Sequence, residues 1–372
     1  MRVAIVSHSY VLNGNRGKVH AVARLPGLDV LLIVPQKWTN RDIGQRLRAE
    51  PPGVRPLSVA ALPAWPDSSG SLITYDPFAL LRVLKRFRPD LVHVEEEPWS
   101  FAALELSLIC HRLGVPFTFF TWENTDRRLF LPFSLIRRRV LRQARAAVAG
   151  NSEAKAILER HGFCNAVSVL PQLGVDTCTF SPPGGSAESR DTIVGYVGRL
   201  VPQKGLLLLL EAVPQLPANV RLMMVGNGPL KSELLGKARA LGVEDRFELH
   251  DGVPHHDVPR HLARVSILVL PSLTTPTWKE QFGHILIEAM ASGVPVIGSD
   301  SGAIPEVIDD AGLIVPEGDL KALVHAVRKL ASEPALRAEL ASRGRARALA
   351  TYTNETIARR LGDFWQHALS NA

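Results

Sequence analysis

A chain of 372 residues, 46% apolar and 21% charged, is longer than one hydrophobic core usually grows and has the balance of a globular protein. That excludes a disordered or fibrous chain and predicts two domains. The net charge of +7 fits nucleic acid, an anionic membrane or an anionic small molecule, and chooses none of them.

The chain opens on MRVAIVSHSY, a strand signal without the long apolar stretch and small-residue cleavage site of a secretory leader. Further strand signals are VLLIVP near residue 30, LVHVEEE near 91, FTFFTW near 117 and AAVAGN near 146. Helical patterns lie between them, such as PFALLRVLKRF from Pro77 and FAALELSLICHRLG from Phe101. Alternation of this kind predicts a mostly parallel sheet covered on both faces. Glu95, Glu96 and Glu97 close one strand, and Glu123 and Asn124 close the next. Ligands gather at the carboxyl ends of parallel strands, so Glu97, Glu123 and Asn124 are candidates to bind an acceptor or orient its hydroxyl; three adjacent acids are otherwise most often a solvated strand end. His93 lies inside its strand. Arg127, Arg128, Arg137, Arg138, Arg139, Arg142 and Arg145 stand among the apolar runs FLPFSLI and VL. This fits either peripheral contact with an anionic membrane or a solvated helix face. It lacks interleaved stacking aromatics, so nucleic-acid binding is not expected.

Ser181 to Ser189 reads SPPGGSAES, the composition of a linker. It divides the chain into domains 1–183 and 190–354, with the last helix, about 355–372, able to pack back on the first. The alternation then restarts: IVGYVGRL, a helix over 205–213, RLMMVGNG, a helix over 230–240, RFELHDGV, ILVLPSL, a helix ending near Ser292, VPVIGSD and AGLIVP. No apolar run approaches the length that spans a bilayer. The scattered Cys110, Cys164 and Cys178 form neither a metal spacing nor an even disulfide set, so a reducing, cytoplasmic setting is expected. His250, His255 and His256 have no carboxylate or cysteine partner in their spacing, and no metal is expected there.

The segment WKEQFGHILIEAMASGVPVIGSDSGAIPEVI, Trp278 to Ile308, carries the most chemistry. Glu280 falls in the loop before an apolar helix and Glu288 within it; Ser292-Gly293 and Pro295 stop that helix. A helix start leaves backbone N–H groups unpaired and suits a diphosphate, and Gly283 lets the backbone approach it. Glu280 could accept from sugar hydroxyls, and Glu288 could take a ribose diol or pair with a basic neighbour. In YVGRLVPQKG, Arg199 and Lys204 follow a strand and could neutralise a diphosphate as charge builds on it.

The string EQFGHILIE followed by AMASGVPVIGSDSGAIPEVI resembles the E-x7-E motif of the retaining GT-B glycosyltransferases of family four, glycosyl transferases group one. The resemblance covers most of the C-terminal half, and MMVGNGP, PSL and GVDT match further landmarks. It implies an α/β fold, GT-B, of two Rossmann-like domains with an interdomain cleft, the first for an acceptor and the second for a donor. It implies donor binding by Gly17, Arg199, Lys204, Val253, Glu280, Phe282, Gly283, His284 and Glu288, with Glu280, Arg199 and Lys204 as the catalytic set. Where many members show a double glycine, this chain has Arg16-Gly17. The implied activity is retaining transfer from a nucleotide diphosphate sugar to a hydroxyl of a glycan, glycolipid or small molecule. It uses no metal or further cofactor, and the leaving phosphate helps to take the acceptor proton. Alternatives are a non-hydrolysing sugar-nucleotide epimerase and a non-catalytic nucleotide-sugar-binding module.

Overall fold

The computed structural model describes residues 1–372 except 41–44, 52, 54–55, 184–190 and 371–372. Two compact units are present: Met1–Gly174 with Asn354–Ala372, and Val175–Thr353. The division falls before the expected linker, most of which lies outside the described residues. Val175 N–H donates to Tyr352 O at 2.8 Å and Phe180 lies against His255, so 175–180 belongs to the second unit.

The first unit is built on β1 (Arg2–Val6), β2 (Asp29–Pro35), β3 (Ser58–Leu62), β4 (Leu91–Val94), β5 (Phe117–Thr121), β6 (Ala146–Ala149) and β7 (Val167–Val169). All pair in parallel, in the order β7-β6-β5-β4-β1-β2-β3. The central strands are buried on both faces, which is why they read as unbroken apolar runs. Strands β3 and β7 at the two edges escape the sequence pattern because they are short and only half-buried. Helices α1 (Gly17–Ala23), α2 (Pro77–Phe87), α3 (Phe101–Leu113), α4 (Phe133–Gln143) and α5 (Ser152–Arg160) connect them. Side-chain oxygens of Asp76, Ser100 and Asn151 cap α2, α3 and α5 by accepting backbone N–H groups. Ala4 and Val6 face one core with α2 to α4, whereas Val3 and Ile5 face another with α1 and the last helix, Asn354–Ser370. Trp365 of that helix is wholly buried and meets the ring of His93 edge-on.

The second unit repeats the plan with β8 (Thr192–Val197), β9 (Val220–Val225), β10 (Phe247–His250), β11 (Ile267–Leu270), β12 (Val296–Ser299) and β13 (Leu313–Val315). Their order is β10-β9-β8-β11-β12-β13, all parallel. Its helices begin with α6 (Leu206–Ala212), α7 (Lys231–Ala240), α8 (Val258–Leu262) and α9 (His284–Ala291). Among the described residues no helix is long and apolar enough to cross a membrane.

Candidate active site

The strand order of the second sheet reverses between β8 and β11, and in open parallel sheets ligands bind outside the carboxyl ends of such a pair. Arg199 lies just beyond β8, and Ser272 just beyond β11. A cavity of about 200 Å³ at this edge is lined by Arg199, Lys204, Glu280, Gly283 and His284, residues far apart in the chain. Gly283 takes φ +77° as it opens α9, and a Cβ there would stand 2.8 Å from Leu270 Cδ2. Only glycine meets both demands, and it lets the first turn of α9 present its N–H groups toward the cavity.

Glu280 is buried, its Oε2 accepting from Ser272 Oγ at 2.8 Å and from the Lys204 ammonium. The ammonium also lies 5.0 Å from the Trp278 ring centroid, within cation–π range. Arg199 is exposed, its carbonyl held by the Tyr196 hydroxyl at 2.7 Å. Phe282 is buried edge-on to Tyr352, and Val253 is half-buried beyond β10. Gly226 makes a tight approach: a Cβ there would meet Gly198 O.

Glu288 shows the pairing that sequence left open. Its Oε1 accepts from His284 Nδ1, one helical turn earlier, and from His255 Nε2, each at 2.7 Å. Burial opposes the charged carboxylate, but the two imidazoles outweigh it and hold the group at about 2. The hydrogen bond to Glu288 in turn raises His255 above its ordinary value. The expectation that His255 lacks a carboxylate partner is therefore corrected. Glu288, 33 residues away in sequence, supplies one, and with His284 the three ligand atoms converge within 4.8 Å.

Two family models match the chain, "Glycosyltransferase Family 4" over residues 23–179 and "Glycosyl transferases group 1" over 181–347. The chain belongs to the family 4, group 1 glycosyltransferases. It is 33% identical over 205 residues to a GDP-mannose-dependent α-(1-6)-phosphatidylinositol monomannoside mannosyltransferase of Mycolicibacterium smegmatis. That match covers 51% of this chain and 54% of the enzyme, so the chain spans about half the length of that relative. A 2-deoxystreptamine N-acetyl-D-glucosaminyltransferase of Streptomyces fradiae is 27% identical over 316 residues, 76% of this chain and 74% of that one. Among solved structures, sucrose-phosphate synthase of Thermosynechococcus elongatus has TM-score 0.73 at 20% identity, with both chains fully covered. HepE of Anabaena in complex with UDP has TM-score 0.75 at 17% identity, over 99% of this chain and 100% of that one. These two show the GT-B fold.

The remaining sequence candidates belong to the first unit. Gly17 opens α1, where a Cβ would stand 2.5 Å from Asn354 Nδ2, so packing alone requires glycine. Arg16, in place of a first glycine, is fully buried and donates to the carbonyls of Tyr10, Val11, Glu50 and Pro51 at 2.7–3.0 Å. It braces the loop after β1. The solvated strand end does not exist: Glu95 and Glu96 are buried at 2% and 3% exposure. Glu95 accepts from Lys18 Nζ at 2.6 Å and Tyr10 Oη at 2.5 Å. Glu97 spends both oxygens on β5, accepting from Thr121 Oγ1 at 2.5 Å and Trp122 N–H at 2.9 Å. Burial, aided by the charge of Glu97, pushes Glu123 up to about 7, with Arg137 3.8 Å away opposing. Asn124 is buried beside it in sequence. His93 is buried and bonded to Thr118 Oγ1 at 2.8 Å, a structural histidine. Sequence reasoning missed His8, paired with Glu96 through Nδ1 at 2.7 Å; its place directly after the first strand was the available signal.

Proposed function

We propose that the chain transfers a hexosyl group, with retention, from a nucleotide diphosphate sugar to an acceptor hydroxyl. The convergence of Arg199, Lys204, Glu280 and the start of α9 on one cavity at the second sheet's switch point carries this reading. The α9 N–H groups and the two cations stabilise the departing diphosphate, where most charge develops. Donor binding draws Lys204 from Glu280 toward phosphate and frees the Glu280 carboxylate for sugar hydroxyls. Glu288, kept ionised by its imidazoles, accepts from the ribose diol. No enzymic nucleophile is assigned. The acceptor oxygen attacks from the face the diphosphate leaves, and a phosphate oxygen takes its proton. No metal is used.

The relatives' printed names include a phosphatidylinositol-linked acceptor and an aminocyclitol, so a glycolipid or a small polyol is the acceptor class. A lipid acceptor accords with the arginine segment. Phe130, Leu131 and Leu135 are 78%, 70% and 59% exposed, and Arg127, Arg128, Arg138 and Arg142 stand exposed around them. Leu135, Arg138 and Arg142 share one face of α4, an apolar tip ringed by cations that suits peripheral contact with an anionic membrane.

The test is thermal-shift screening of UDP, GDP and ADP sugars, followed by transfer from the stabilising donor with the product anomer read by NMR. Retention and loss of transfer in Glu280→Gln are expected. An inverted product, or conversion of the donor without any acceptor, overturns the reading. Binding to phosphatidylglycerol vesicles at low salt, lost on Phe130→Ser with Leu131→Ser, tests the membrane contact; no binding in the unaltered chain removes it.

A further inference from the structure

His255, His284 and Glu288 meet inside the second unit for reasons of local geometry. His284 opens α9 and Glu288 follows it four residues later, so both side chains lie on one face of the helix. His255 opens the 3₁₀ turn His255–Asp257 that follows β10, and Phe180 backs its ring with centroids 5.2 Å apart. Glu288 Oε1 receives His284 Nδ1 and His255 Nε2, each at 2.7 Å, and the three atoms lie within 4.8 Å of one another. Nε2 of His284 is buried and makes no hydrogen bond among the described residues, so Nδ1 is the nitrogen that this ring offers.

Two imidazole nitrogens and one carboxylate oxygen are the donor set of a borderline transition metal, whereas Mg²⁺ and Ca²⁺ take oxygen. The spacing is close to what such an ion needs. Bonds of about 2.0–2.1 Å at a tetrahedral angle place the centroids of two ligand imidazoles roughly 5–5.5 Å apart. Those of His255 and His284 stand 6.3 Å apart. An approach of roughly 1 Å closes the set, and the His255 side chain, 58% exposed, has room to make it. Tight zinc sites give each ligand imidazole a second hydrogen bond through its other nitrogen, and His284 has none among the described residues. The set therefore suits an ion that comes and goes rather than a resident one.

We propose that His255, His284 and Glu288 form an inhibitory site for Zn²⁺. Each neutral imidazole coordinates through the nitrogen that faces Glu288 and carries its proton on the other; water fills the remaining position. The ion occupies the Glu288 oxygen that the proposed function gives to the ribose diol, so metal and donor exclude one another. That competition rests on the glycosyl-transfer reading, whereas metal binding does not. The ion takes no part in transfer.

The full chain without an affinity tag, stripped of metal with EDTA and desalted, is titrated with Zn²⁺ against a chromogenic chelator, and with Co²⁺, whose visible absorption reports nitrogen ligation. The unaltered chain is expected to bind both. His255→Gln and His284→Gln should bind at least about tenfold more weakly, the loss that even an indirect contact to a metal ligand produces. His255 is largely exposed, so its replacement disturbs no core, and glutamine can still donate to Glu288. His256→Gln, at a ring 78% exposed and paired with Asp257, should bind as the unaltered chain does. Zn²⁺ should also raise the apparent Kd of the nucleotide sugar that stabilises the chain, and Mg²⁺ at the same concentration should not. Absence of Zn²⁺ binding, equal binding in all variants, or equal binding of Mg²⁺ overturns the site. Zn²⁺ binding that follows the variants while donor affinity stays unchanged, or while no nucleotide sugar binds at all, leaves the site standing and overturns the donor reading of Glu288.

Discussion

Replacing Glu123 by Gln is expected to stabilise the first unit, and only above mildly acidic pH. Glu123 is 7% exposed, its Oε1 is buried without a hydrogen-bond partner, and its nearest cation stands 3.8 Å away. Burial and the neighbouring Glu97 move its carboxyl from 4.5 to about 7, so the folded state prefers the protonated form. Its contribution to stability is fully present below the unfolded value of 4.5 and is lost as pH rises through about 7. A displacement of that size corresponds to about 3 kcal/mol at most, and relaxation around a partly solvated group brings it to the order of 1–2 kcal/mol. Glutamine cannot ionise. Glu123→Gln should therefore match the unaltered chain at pH 5 and exceed it at pH 8 by roughly this amount. Equilibrium urea unfolding followed by tryptophan fluorescence is a suitable assay, because Trp38, Trp65, Trp99, Trp122 and Trp365 lie in the first unit and only Trp278 in the second. A variant less stable at pH 8, or a difference that does not change with pH, would refute the argument.

Three further outcomes follow from the site and the core. Arg199→Ala and Lys204→Ala each remove a charge from the proposed diphosphate position and should lower kcat by about 10²–10³-fold, read in steady-state transfer; an effect confined to KM contradicts stabilisation of the leaving group. Gly283→Ala meets both a φ of +77° and Leu270 Cδ2, and should cost on the order of 1–3 kcal/mol and weaken donor binding, measured by thermal shift with and without the nucleotide sugar. Transfer should proceed unchanged in EDTA, while Zn²⁺ should compete with donor for His255, His284 and Glu288; activity that depends on added metal would end the metal-free reading.

The candidate site of the second unit was legible in one dimension because much of it is local. Glu280, Gly283 and Glu288 sit within one loop and the helix it opens, and helix periodicity places them without any tertiary knowledge. The central strands were legible for a similar reason: a strand buried on both faces must be continuously apolar. Edge strands, half-buried and short, carry no such mark.

What only folding decided is the partner of each buried charge. Three consecutive glutamates read alike in sequence, yet Glu95 meets Lys18 and Tyr10, Glu96 meets His8, and Glu97 braces β5. The sequence by itself determined the alternating architecture and the family, since these rest on periodicity and on residues near one another in the chain. The tertiary structure decided that His255 reaches Glu288, that Arg16 is a brace, and that His8 is held by Glu96. Parallel strands that are neighbours in space are separated by whole crossover helices in sequence, and no local pattern records which side chains meet at their ends.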